Sequence, residues 1–209
     1  LHSRYGILRL SPVGSAIIRV TFARGGQIAD RFHPGIAVHR TERTWMFRES
    51  AATIDLMTDE LLVQTDKTTG AIRFMTRDKL PLFAERHKEC RQLEAAPNGR
   101  MKIWLYPEWT KNETIYAMGA GETKGMNIRK TARYISHKGV AASAALPFLL
   151  SEKGYGIVLA ADSPVICCDL STYGTYLCAE NELQMDYYFI AGKRPNTILN
   201  AYAYLCGSL

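Results

Sequence analysis

The sequence predicts an all-β fold, an antiparallel β-sandwich with one C-terminal helix, on three observations. Leu146 to Leu159 has the form of a hairpin. Leu146, Phe148 and Leu150 recur every second residue, Ser151-Glu152-Lys153-Gly154 supplies a turn, and Tyr155-Gly156-Ile157-Val158-Leu159 returns. Leu183 to Ile190 is a long aromatic strand with Leu183, Met185, Tyr187 and Phe189 on one face and Gln184, Asp186, Tyr188 and Ile190 on the other. Between Thr53 and Phe83, short alternating segments are separated by turn residues, which is the pattern of a meander.

In chain order, Tyr5–Leu10 and Ala16–Phe22 read as a first antiparallel pair joined around Ser11-Pro12-Val13-Gly14, with Ile18, Val20 and Phe22 sharing a face. Gly25-Gly26 breaks the pattern, and Ala23 to Thr41 reads as an irregular crossover. His33 and His39 fall there with no carboxylate at ligand spacing, so they read as surface histidines. The meander follows as Thr53–Thr58, Glu60–Thr65, a turn at Asp66–Gly70, Ala71–Thr76, and Leu80–Phe83 after Asp78-Lys79. From Ala84 to Gly99 charge density rises and apolar periodicity fades. That stretch reads as a mobile connection with room for a short helix over Glu85 to Leu93.

Met101–Tyr106 resumes as a strand, Thr114–Met118 leads into a turn at Gly119-Ala120-Gly121-Glu122, and Ala132–Ser136 reads as a short strand before a small-residue loop, Lys138–Ala145. The helix is marked by Pro195 in its first turn, by Ile198, Tyr202 and Leu205 at i, i+4 and i+7, and by Gly207 as its stop. Residues 1–192 are therefore assigned to the sandwich, and 193–209 to a helix and linker.

The 209 residues suffice for one sizeable core. The formal charge of +6 is spread among acidic residues with no basic block, which argues against a nucleic-acid partner. No apolar run approaches the roughly 20 residues that span a bilayer, and no charged-then-apolar leader is present, though a mature secreted protein would look the same. Cys90, Cys167, Cys168, Cys178 and Cys206 form no C-x-x-C pair. They read as free thiols, tilting the compartment toward the cytoplasm, with Cys167 and Cys168 pointing to opposite faces of a strand. No cofactor or metal is expected.

Three stretches carry a resemblance. P-F-L-L-S-x-K-G-Y-G from Pro147, D-Y-Y-F-I-A-G from Asp186, and Y-A-M-G-A-G-E from Tyr116 resemble motifs of the N-terminal β-sandwich of family 31 glycoside hydrolases, the α-glucosidase and α-xylosidase family. In the third, Ala117 and Ala120 replace the usual glycine and leucine. The resemblance implies a galactose-mutarotase-like supersandwich, itself non-catalytic, that packs on a (β/α)8 catalytic barrel of the same polypeptide. It also implies that a loop reaches the site where an α-linked oligo- or disaccharide is hydrolysed. In that family the catalytic aspartates lie on the barrel, so neither carries over to this sequence.

Three residues are candidates for substrate contact. His137 and Lys138 fall where the family sends a loop to the substrate site, at positions where it has an Asn and an Asp, and both can hydrogen-bond hydroxyls. Glu122, flanked by glycine, could accept from a sugar hydroxyl. The stronger competing role is to fix its own turn by accepting backbone N–H groups. Glycosidase chemistry requires two carboxylates, roughly 5–5.5 Å apart for retention. Asp186 has no partner acid nearby in sequence and reads as structural. There is no G-x-S-x-G, and Gly119-Ala120-Gly121 lacks the strand–helix context of a dinucleotide site. Trp104, Tyr106 and Trp109 would serve either as a sugar-stacking platform or as packing. Two alternatives follow: a stand-alone carbohydrate-binding sandwich, and a mutarotase-like aldose epimerase, which the scattered histidines disfavour.

Overall fold

The computed structural model describes residues 1–3, 6–25, 27–38, 44–118, 125–135 and 146–207. Its strands are β1 (His2–Ser3), β2 (Gly6–Gly14), β3 (Ile17–Ala23), β4 (Met46–Glu49), β5 (Thr53–Met57), β6 (Leu61–Asp66), β7 (Ile72–Thr76), β8 (Pro81–Ala84) and β9 (Arg91–Ala95). They continue as β10 (Met101–Leu105), β11 (Ile115–Ala117), β12 (Ala132–Tyr134), β13 (Phe148–Ser151), β14 (Tyr155–Leu159), β15 (Val165–Leu170), β16 (Gly174–Glu182) and β17 (Met185–Ala191), ending in helix α1 (Pro195–Leu205). Three antiparallel sheets result. A seven-stranded sheet runs β1-β2-β3-β17-β14-β13-β11, and two five-stranded sheets run β4-β5-β6-β7-β8 and β12-β15-β16-β10-β9. The chain is an all-β sandwich with one C-terminal helix.

The two five-stranded sheets form one layer and the seven-stranded sheet the other. The main core takes Ile18, Val20, Tyr187 and Phe189 from the large sheet, Val63, Ile72 and Phe74 from the meander, and Ile103, Val165 and Leu177 from the third sheet. Phe74 and Phe189 stack across the layers with centroids 4.1 Å apart. A buried aromatic of this kind contributes about 1.5–3 kcal/mol of transfer free energy.

A second core covers the outer face of the seven-stranded sheet. There Phe148, Val158, Tyr188 and Ile190 meet Ile198 and Leu205 of α1 and Ile36 of the crossover. Strand β17 is thus buried on both faces and its alternation divides two cores, which explains why it has almost no polar residues.

The expected hairpin forms as β13–β14, with pairs running from Phe148↔Val158 to Ser151↔Tyr155. Its glycines have distinct reasons. Gly154 has φ +86° in the turn. A Cβ at Gly156 would lie 2.5 Å from the Phe148 ring and 2.9 Å from Ile198 Cγ2, so the helix docks only over a missing side chain. The 66–70 turn also forms as expected, with Asp66 Oδ1 accepting the N–H groups of Thr68 and Thr69 at 2.8 and 2.7 Å.

Three expectations are corrected. Residues 91–95 are strand β9 rather than part of a helix, because Arg91 turns inward to a buried carboxylate while Leu93 enters the core. Strand β2 continues through Ser11-Pro12-Val13 to Gly14, with Pro12 accommodated where the register shifts. Strand β17 begins at Met185, leaving Leu183 42% exposed before it. Strand β4 was not anticipated. It is an edge strand whose four residues are all exposed, and Phe47 prolongs the core row Leu56–Val63–Phe74–Phe83 past the sandwich at 64% exposure. Among the described residues no helix is long and apolar enough to cross a membrane.

Candidate functional site

Glu122, His137 and Lys138 lie outside the described residues, but the chain on either side of them is placed. Met118 donates to Phe148 O at 2.7 Å, Gly125 to Ala117 O at 2.6 Å, and Ile135 to Val165 O at 2.9 Å. These bonds sit where β11 and β12 finish and β13 and β15 begin. The antiparallel pairings put all of those ends, with the start of β17, at the same end of the sandwich. Segments 119–124 and 136–145 therefore leave the scaffold from one end, a convergence that linear spacing does not reveal.

At that end, Asp162 gathers three basic groups. Arg31 Nη2 approaches its Oδ2 at 2.6 Å and Arg100 Nη1 at 3.4 Å, while His33 Nε2 lies 3.6 Å from Oδ1. His33 Nδ1 accepts the Gly35 N–H at 3.0 Å, which fixes the proton on Nε2 facing the carboxylate. Burial lowers the pKa of His33 against the opposing pull of Asp162, keeping the ring neutral at pH 7. Neighbouring Glu182 accepts from the N–H groups of Asp162 and Ser163, both at 2.9 Å, and from the Ser163 hydroxyl at 2.6 Å. The cluster ties together the crossover, the 96–100 turn and the β14–β15 connection. His33 thus finds a carboxylate distant in sequence, but as a clasp between loops.

The buried acids are similarly committed. Glu85 receives Arg91 at 2.9 Å, the Tyr187 hydroxyl at 2.7 Å and the Ile72 N–H at 3.0 Å. Glu113 receives the Ser151 and Tyr155 hydroxyls at 2.7 and 2.5 Å. Asp186 receives Arg19 Nε at 2.9 Å, which bears out its structural reading. Each of these carboxylates is engaged by internal donors. Among the described residues no group of three or more His, Cys, Asp or Glu could hold a metal ion. Four cysteines are buried and Cys206 is partly so, and burial raises the Cys167 thiol far above, and Cys178 to about 11, so neither is a ready nucleophile.

The sheet β12-β15-β16-β10-β9 gathers aromatic rings on its outer face. Ile103 and Leu105 point into the core, so Lys102, Trp104 and Tyr106 point out. The register aligns Tyr134, Ile166, Cys178, Trp104 and Gln92 in one row across the five strands. Tyr176 meets Tyr106 edge to face at 6.5 Å. Trp109 does not join them. It packs against the main core, with the Arg129 guanidinium 5.5 Å from its ring. The period-two placement of Trp104 and Tyr106 was legible in sequence, whereas the arrival of Tyr176 and Tyr134 depends on strand pairing.

A cleft of about 1140 Å³ is lined by Phe22, Arg24, Thr69, Lys88, Arg91 and Leu93, among others. Two of its cations are already engaged, Arg24 with Leu93 O at 3.3 Å and Arg91 with Glu85 and Gly70 O.

No protein-family model matches the sequence, and no curated protein matches it. Solved structures do. A GH31 alpha-xylosidase from a soil metagenome, complexed with xylose, superposes with a TM-score of 0.81 at 16% identity, over 98% of this chain and 32% of that one. A Flavobacterium johnsoniae GH31 dextranase complexed with isomaltotriose gives 0.76 at 16% identity, over 98% and 26%. The fold is that of a domain found in GH31 enzymes. The cycloalternan-forming enzyme of Listeria monocytogenes, in complex with a pentasaccharide substrate, also matches, at 0.76 and 17% identity over 94% of this chain and 19% of its own. This chain thus spans between about a fifth and a third of the length of these three chains.

Proposed function

We propose that this chain is the non-catalytic N-terminal β-sandwich domain of a family 31 α-glycosidase. It packs on a (β/α)8 barrel of the same polypeptide and lends residues 136–145, with His137 and Lys138, to a site that hydrolyses α-linked glycosides. One observation carries the reading: nearly the whole chain superposes on a minor part of sugar-bound GH31 enzymes. The commitment of the buried carboxylates to internal donors supports it, because bond cleavage then falls to another part of the enzyme. Trp45 and Phe47, 41% and 64% exposed, provide apolar area suited to the contact with that part.

The test is hydrolysis of nitrophenyl α-glucoside and α-xyloside by the purified 209-residue chain and by an enzyme in which it precedes a barrel. The chain alone should release no nitrophenol and the longer enzyme should. Turnover by the chain that persists through repurification would sink the proposal.

A further inference from the structure

We propose that the outer face of the sheet β12-β15-β16-β10-β9 is a binding platform for a neutral, hydroxyl-rich saccharide chain, with Trp104 and Tyr106 as its stacking surface. The inference stands on this face alone and does not need the glycosidase assignment. Tyr106 directly follows β10, two residues beyond Trp104, and its N–H continues the pairing to Cys90 O at 3.1 Å, so the two side chains project side by side about 6.8 Å apart. Tyr176 from the neighbouring strand closes against Tyr106. The rings are fixed in place. Lys102 Nζ lies 5.1 Å from the Trp104 ring, Arg86 lies 5.0 Å from that of Tyr106, and the Tyr106 hydroxyl donates to Gln92 Oε1 at 3.1 Å. A platform ordered before its ligand arrives loses little side-chain entropy on binding.

The chemistry of the rim selects the occupant. Lys102 and Glu180 pair at 3.1 Å while remaining 37% and 61% exposed, and Glu94 and Gln92 stand exposed on the adjoining strand. A protein partner would have to strip water from these charges, and charged residues are depleted at the centres of protein interfaces. A pyranose imposes no such cost. Its C–H face lies on an aromatic ring, while its hydroxyls, which both donate and accept, exchange hydrogen bonds with carboxylate, ammonium, amide and the water between them.

Electrophoresis of the 209-residue chain in native gels containing dextran, soluble starch or xylan tests the proposal. The chain should be retarded in at least one gel, and Trp104→Ala should weaken that retardation about tenfold or abolish it, the loss of one good ring contact. Tyr106→Ala, read in the same gels, covers the case in which Trp104→Ala lowers the unfolding midpoint. Tyr173→Ala, which removes a ring exposed in the β15–β16 turn, should change nothing. Free mobility in all three gels overturns the proposal, as does retardation that both platform variants retain. Sedimentation completes the test: a self-associating chain returned to monomer by Trp104→Ala, with no retardation in any gel, overturns it in favour of a protein contact.

Discussion

Arg91 and Glu85 form an ion pair at 2.9 Å inside the main core, with side chains only 2% and 0% exposed. Burial raises the Glu85 pKa against the opposing pull of Arg91, so the guanidinium is what keeps this carboxylate tolerable in an apolar setting. Removing the cation alone should therefore hurt more than removing the pair. Arg91→Ala should cost about 3–5 kcal/mol in urea unfolding, and Glu85→Leu/Arg91→Met should recover a large part of that loss. A double variant less stable than Arg91→Ala would show that the pair is worth more than its desolvation cost.

The approach of α1 to the hairpin gives a second prediction. Gly156→Ala would place a methyl group inside contact distance of Phe148 and Ile198, and should lower stability by about 1–3 kcal/mol. Ile198→Ala, which removes the Cγ2 methyl group that the new Cβ would meet, should cost less in the Gly156→Ala background than in the unmodified chain. A double-mutant cycle reads the difference.

Acid sensitivity should trace in part to Asp169. Its burial opposes ionisation, but the Lys130 N–H, the Arg129 guanidinium and the Thr175 hydroxyl outweigh it and hold the pKa below the ordinary carboxylate value. A depressed folded value means that the unfolded chain takes up the proton first. The contribution is present above the usual aspartate pKa of about 3.9 and is lost as pH falls through the folded value. Asp169→Asn should lower the unfolding midpoint at pH 7 and flatten its fall below about pH 4.

In an enzyme carrying this domain ahead of a barrel, His137→Ala/Lys138→Ala should raise KM for an α-linked disaccharide with little change in kcat. That is the signature of a contact made equally in ground and transition states. An unchanged KM would remove these two residues from the substrate site.

Much of the fold was legible because its strands obey simple alternation. Met185, Tyr187 and Phe189 separate cleanly from Tyr188 and Ile190, and Asp66 with Gly70 announces a turn. The failures have one physical origin. Strand β9 reads as charged because Arg91 satisfies an acid just past the end of β8, and β4 has no buried residue to betray it. The Asp162 cluster was hidden for the same reason, since Arg31 and Arg100 lie 131 and 62 positions from the carboxylate that they share. Long-range pairing decides each of these, and a periodicity within one segment carries no trace of it.

The main-chain anchors at Met118, Gly125 and Ile135 have a consequence for how such a domain diversifies. They clamp the borders of segments 119–124 and 136–145 to strands that pair and pack on their own account, so a change inside either segment need not disturb the main-chain bonds that border it. Sequence can then change at that end of the sandwich without altering the strand pairing beneath.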